Sequence, residues 1–126
     1  MRKSYFKYLE LCRHVDAATA SVSQIDERAK KLLQYIALSH MHGATLTVKA
    51  AMALSSIASS AMIQRKLDNL YAVGLIDKVF DDKNRRMKYL VPTTAANQYF
   101  SRLGAVMRQS LVPSQTTREG VYPSID

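Results

Sequence analysis

Apolar residues recur first at helical and then at strand spacing along the chain, and the points of change divide it into elements. Phe6, Leu9, Cys12 and Val15, joined by Tyr5, Leu11 and Ala18, form a stripe that predicts a helix from Tyr5 to about Thr19, with Ser4 as its cap. Ser21-Val22-Ser23, followed by Gln24 and Asp26 at capping-box distance, predicts the start of a second helix. Ile25, Ala29, Leu32, Leu33, Ile36, Ala37 and Met41 mark its buried side, and Gly43 supplies its stop. Thr47 caps a short third helix from Val48 to about Leu54. The poor helix formers of Ser55-Ser56-Ile57-Ala58-Ser59 then predict a tight turn, with Ser59 as the next N-cap. From Ser60 to about Val73, Ile63, Leu67, Leu70 and Tyr71 share one stripe and Gly74 ends the helix.

Beyond Gly74 the period falls to two. Leu75 to Phe80 is rich in strand formers, Asp81-Asp82-Lys83-Asn84-Arg85 reads as a charged turn, and Arg86 to Val91 predicts a returning strand that ends before Pro92. Thr93 or Thr94 caps a last helix with Ala96, Tyr99, Phe100, Leu103, Val106 and Met107 on one side. The expected architecture is mainly α with a small β-hairpin wing, a winged helix-turn-helix with flanking N- and C-terminal helices. It divides into an N-terminal helix over 1–20 suited to dimerisation, the winged helix-turn-helix with its C-terminal helix over 21–110, and a flexible tail over 111–126, where two prolines and Gly120 interrupt a sequence without period.

Size and composition narrow the class. At 126 residues and 14.1 kDa, 48% apolar and 22% charged, the chain is one ordinary globular domain with a short tail rather than a disordered polymer. No stretch approaches the roughly 18 consecutive apolar residues of a membrane span. The basic start, Met1-Arg2-Lys3, leads into alternating polar and aromatic residues and not into the apolar core of a secretory signal, so a cytoplasmic location is expected and a membrane partner is not. Cys12 stands alone, without a disulfide partner.

Charge points to a polyanion. The net charge is +8 and the sequence pI about 9.8. Ten Lys and Arg face four Asp between Thr45 and Ser110, and five of those bases crowd into residues 78–88. The run Leu46-Thr47-Val48, the segment RKLDNLYAVGLI (65–76) and the hairpin DDKNRRMKYLVPTTAA (81–96), taken in order, resemble the MarR-type winged-helix transcriptional regulators over roughly residues 24–104. The resemblance implies a sequence-specific regulator that binds duplex DNA; a homodimer is expected because one recognition helix buries too little surface and two-fold proteins bind palindromic half-sites, and no cofactor is expected. Two departures are visible. Where such wings commonly carry Asp-x-Arg this chain has Asn84-x-Arg86, which weakens any ion pair bracing the wing, and where they carry Leu-Thr-Pro-x-Gly it has Pro92-Thr93-Thr94-Ala95-Ala96. The flanking helices also look shorter than those the family uses for dimerisation.

A helix enters the major groove when one face packs on the protein and the other offers hydrogen-bonding or short side chains to base edges. At roughly 100° per residue, Ile63, Leu67 and Leu70 cluster on one side, while Ala61, Met62, Arg65, Asp68 and Asn69 lie opposite. Base readout is therefore expected from Ser60, Ala61, Gln64, Arg65 and Asn69, with Arg65 suited to guanine and Gln64 to adenine. Thr47, Lys49, Ser59 and Lys66 are expected on the flanking backbone, and Lys83, Arg85 and Arg86 of the wing on phosphates or in a narrow minor groove. Phe6, Leu9, Tyr99, Phe100 and Leu103 exceed what a small winged core buries and are expected at the dimer interface.

Other chemistry finds little purchase. His40 and His42 diverge by about 200° on a helix and have no third ligand nearby, so no metal site is expected. The serines of 55–60 lack a nucleophile-elbow context, and the glycines at 43, 74, 104 and 120 stand apart, so no phosphate-cradling loop and no enzyme is expected. Cys12 reads as a packing residue. Tyr5, Phe6 and Tyr8 suit a partner helix better than an effector pocket, and any small-molecule effector is left unidentified. The competing reading is a winged-helix protein-interaction module in which the basic charge is incidental.

Overall fold

The computed structural model describes residues 1–111, so of the tail expected over 111–126 only Leu111 is described, as the last residue of a helix, and 112–126 lie outside the described residues. Six helices and one hairpin follow in the order α1 Arg2–Ala18, α2 Ala20–Ser23, α3 Glu27–Met41, α4 Val48–Met52, α5 Ser60–Ala72, β1 Ile76–Phe80, β2 Lys88–Pro92 and α6 Thr94–Leu111. No helix among the described residues is long and apolar enough to cross a membrane.

The helix starts show which caps won. α1 begins at Arg2, two residues before the expected Ser4 cap, so Ser4 lies inside its first turn. The serines at 21–23 form the separate single-turn α2, and the N-cap of α3 is Asp26, whose Oδ1 accepts from the Ala29 backbone N–H at 2.9 Å. Asp outcompetes Ser here because its charge also complements the positive helix end. Thr47 and Ser59 cap α4 and α5 as the spacing predicts, accepting from the N–H groups of Ala50 and Met62. At both Gly43 and Gly74 the chain takes a positive φ, 77° and 79°. The Leu75 N–H reaches back to the Leu70 carbonyl and that of Gly74 to Tyr71, a Schellman closure that turns the chain out of α5 and into β1.

The core is the meeting of helical stripes on α3, α5 and α6, the last through Ala96 and Tyr99, with one face of the hairpin. Leu32, Leu33 and Ile36 of α3, Ile63, Leu67 and Leu70 of α5, Leu75 and Ile76 entering β1, and Leu90 of β2 are all buried. At about 1.5–3 kcal/mol for each fully buried aliphatic side chain, this cluster is the main stabilising element. Met41, Tyr71 and Met107, expected on buried stripes, are instead exposed, each lying at the edge of its stripe near a helix end.

β1 and β2 pair antiparallel, Ile76 opposite Pro92 and Phe80 opposite Lys88. The strand thus includes Pro92 instead of stopping before it, which works because a proline at a strand end gives up only one ladder donor. The chain before α4 touches β2 through an isolated bridge, the Leu46 carbonyl accepting from the Leu90 N–H at 2.8 Å and Thr47 pairing with Tyr89. Thr93 then joins three elements. Its N–H donates to the Leu75 carbonyl, its Oγ1 donates to the Gly74 carbonyl at 2.7 Å, and the same Oγ1 accepts from the Ala96 N–H at the start of α6. α6 runs back antiparallel to α1, bringing Tyr99 to Asp16 and the Leu111 end to the Met1 end.

Candidate nucleic-acid interface

α5 presents the face that the sequence pattern assigns to it. Ile63, Leu67 and Leu70 are fully buried, whereas Ala61, Arg65, Asp68 and Asn69 are exposed. Gln64 is half-buried on the flank, its Nε2 donating to Asp68 Oδ1 one turn on at 3.1 Å. Ser60 is exposed, and its Oγ donates to the Met52 carbonyl at 3.0 Å, fastening the start of α5 to the end of α4. Lys66 is placed differently from expectation. Its Nζ sits 2.6 Å from Asp26 Oδ2, with the side chain largely covered, so its cation is engaged at the N-cap of α3 and not held out beside the recognition face. The same contact, with the Ala29 N–H, holds the Asp26 carboxyl below the usual carboxylate range.

The wing tip is built from two side-chain turns. Asp81 Oδ1 accepts from the Lys83 N–H at 2.8 Å, and Asn84 Oδ1 accepts from the Arg86 N–H at 3.1 Å. A tight turn closes over Arg85 and Arg86 through Met87 N–H to the Asn84 carbonyl, and the Asp81 N–H donates to the Met87 carbonyl. The Asn84-x-Arg86 departure thus braces the wing through the backbone amide of Arg86, which leaves its guanidinium outside that contact. Lys83, Arg85 and Arg86 are all exposed. Two further lysines lie over aromatic rings: Lys88 Nζ is 5.6 Å from the Phe80 ring centre and Lys78 Nζ is 5.0 Å from that of Tyr71. Sequence spacing gave no sign of these pairs, since one depends on strand register and the other on how β1 lies on α5.

α4 touches both the wing and the start of α5. Thr47, Val48, Lys49 and Met52 line one side of a groove of about 460 Å³ whose other side is Arg86, Met87 and Lys88. No carboxylate lines it. Because Ser60 is tied to Met52 at the far end of the same short helix, the exposed face of α5 and the cationic tip of the wing adjoin a common support.

Behind this surface, α1 and α6 close on α3 around a second, polar cavity of about 620 Å³ lined among others by Tyr8, Cys12, Asp16, Lys30 and Tyr99. Tyr99 Oη donates to Asp16 Oδ1 at 2.6 Å, and Lys30 Nζ contacts Asp16 Oδ2 at 2.9 Å and Glu27 Oε1 at 2.7 Å. Burial, reinforced by the Asp16 contact, pushes the Tyr99 hydroxyl well up, and Glu27 raises Lys30. This network was invisible in the sequence because its members lie 14 and 83 positions apart. It also places Tyr99, expected at a dimer interface, inside the fold of the single chain, where it is 3% exposed. Phe100 and Leu103 pack partly against the core, whereas Phe6 (58% exposed) and Leu9 stay open beside Tyr5. Among the described residues no group of His, Cys, Asp and Glu is placed to hold a metal ion, and His40 Nδ1 instead lies 2.9 Å from Thr45 Oγ1.

Solved structures of transcriptional regulators and a heme sensor share this chain path. S. aureus MepR bound to ethidium bromide aligns with a TM-score of 0.65 at 16% identity, over 94% of this chain and 84% of that one. The S. aureus MepR–DNA complex aligns at 0.57 and 18%, over 81% and 82%. The heme sensor protein PefR from Streptococcus agalactiae, in complex with heme, aligns at 0.55 and 16%, over 97% and 80%. No protein-family model and no curated protein matches the sequence. The likeness establishes the fold: a mostly helical chain path with a two-stranded antiparallel hairpin, shared with these regulators.

Proposed function

We propose that the chain is a MarR-type transcriptional regulator that binds duplex DNA sequence-specifically as a homodimer, without catalysis. The observation that carries the reading is that α4 supports both an outward Arg65 on α5 and the exposed cations of the wing, Lys83, Arg85 and Arg86. In this reading α5 lies in the major groove, with Ser60, Ala61, Gln64, Arg65 and Asn69 at base edges. Thr47, Lys49 and Ser59 approach the flanking backbone, and the wing reaches phosphates or the minor groove. Its support from outside the chain is that two of the neighbouring structures, both of MepR, were solved on DNA.

Two copies are needed because one recognition helix buries too little surface for tight specific binding. The exposed apolar side chains of α1 and α6, Tyr5, Phe6, Leu9, Met107 and Leu111, form the surface on which a second copy packs. DNA binding and protein docking separate by salt. Log affinity for duplex DNA is expected to fall linearly with log salt, by about 0.9 per phosphate contacted. Arg65→Ala is expected to relax base preference, and Arg85→Ala with Arg86→Ala to weaken binding to all sequences alike. Equal affinity of wild type and triple variant for duplex DNA would overturn the proposal.

A further inference from the structure

The recognition face carries one acidic residue whose placement the charge argument does not explain. Asp68 is exposed on α5 beside Arg65, and its one contact among the described residues is the Gln64 amide. No cation pairs with it, Lys66 being engaged by Asp26 and Arg65 forming no ion pair among the described residues. Duplex DNA carries one negative charge per about 1.7 Å, so an unpaired carboxylate here opposes binding wherever it meets only phosphates. It becomes favourable where it accepts a hydrogen bond from a base amino group. In the major groove the donor that matches a carboxylate is the N4 amino group of cytosine.

We infer that Asp68 is a specificity-determining residue that selects cytosine in the operator, with Gln64 positioning its carboxylate. This rests on the DNA-binding reading above. The geometry supports a paired readout. Arg65 and Asp68 are three residues apart, hence about 4.5 Å along the helix axis and some 60° around it. A base-pair step is about 3.4 Å, so a donor fork and an acceptor on one face address neighbouring base pairs, guanine at the first and cytosine at the second. Gln64 Nε2 holds Oδ1, which limits the rotation of the Asp68 side chain and leaves Oδ2 as the oxygen open to a base. A carboxylate that did no more than solubilise the helix would carry no such base preference.

The test is selection of bound sequences from a random duplex library with the full chain, its Asp68→Ala, Asp68→Asn and Gln64→Ala variants, followed by titration of single-base variants of the selected site. Wild type is expected to yield a cytosine next to the guanine whose preference Arg65→Ala removes. Asp68→Ala should erase the cytosine preference at that one position, a loss of discrimination of about 5- to 150-fold, while its affinity for unrelated duplex rises. Asp68→Asn should turn the preference toward adenine, which an amide reads, and Gln64→Ala should blur the cytosine preference without abolishing it. Matching thermal unfolding of all variants establishes that the fold is intact. If wild type selects a consensus and Asp68→Ala selects the same one, the inference fails and the DNA-binding reading stands. If wild type selects nothing, both fail.

Discussion

Tyr99 shows how a single residue can be read correctly for its pattern and wrongly for its role. Helical spacing put it on the inward stripe of the last helix, and its size suggested a partner surface, but its hydroxyl finds Asp16 across 83 positions of sequence. Because burial and that carboxylate push its pKa up, the neutral phenol is the form the fold favours. The resulting stability is complete below the unfolded value of about 10 and is lost as pH climbs past it. Wild type is therefore expected to lose stability more steeply than Tyr99→Phe above about pH 10, and to exceed it by about 1–2 kcal/mol near neutrality, as read from denaturant unfolding at each pH. Asp26 has the opposite sign. Its carboxyl is held low by Lys66 and the Ala29 N–H, so its contribution is present above the unfolded value of about 3.9 and disappears as pH falls. Asp26→Ala is expected to cost about 1 kcal/mol at neutral pH, the ordinary worth of an N-cap, with the difference closing in acid. Thermal unfolding across that range decides it.

At the scale of elements, the type and order of the main elements were legible from local spacing, whereas the Ser4 and Ser21–Ser23 caps were not, since Met1 and Asp26 hold those positions. The two helices of the helix-turn-helix, their Thr47 and Ser59 caps, the buried triplet Ile63, Leu67 and Leu70, and the hairpin all follow from period and turn chemistry. What escaped were contacts set by register and by helix-on-helix packing: Leu46 joining β2, Lys66 reaching α3, and the lysines lying over Phe80 and Tyr71. The glycines make the distinction testable. Gly74 holds a positive φ with nothing near the position of an added methyl group, so Gly74→Ala is opposed by backbone conformation alone, by about 1–2 kcal/mol. Gly104 lies in the middle of α6, also in open space, with ordinary helical backbone. Gly104→Ala is expected to stabilise by about 0.5–1 kcal/mol. Opposite shifts of the melting temperature for these two methyl groups would bear out the assignment, and shifts of the same sign would contradict it.

For the whole molecule, the placement of apolar surface argues for two copies. Phe6 is more than half exposed on a helix without a fully buried residue and shares a groove of α1 with Leu9, while Tyr5, Met107 and Leu111 open where α1 meets the end of α6. Phe6→Glu is expected to leave the monomer's fold intact and to convert a dimer into a monomer at tens of micromolar, as read by sedimentation velocity. Affinity for a palindromic site should drop far more than affinity for a single half-site. The sequence pointed to this surface in outline through Phe6 and Leu9, but it could not separate side chains that α1 and α6 spend on each other from those left over. Only the antiparallel seating of the two helices does that. Thr93 adds a mechanical consequence. With one hydroxyl and one amide it fastens the end of α5, the base of the hairpin and the first turn of α6 to one another. Under the proposed DNA-binding reading, a groove helix and a wing tied together at one residue keep a fixed mutual spacing, so a duplex meets both or neither.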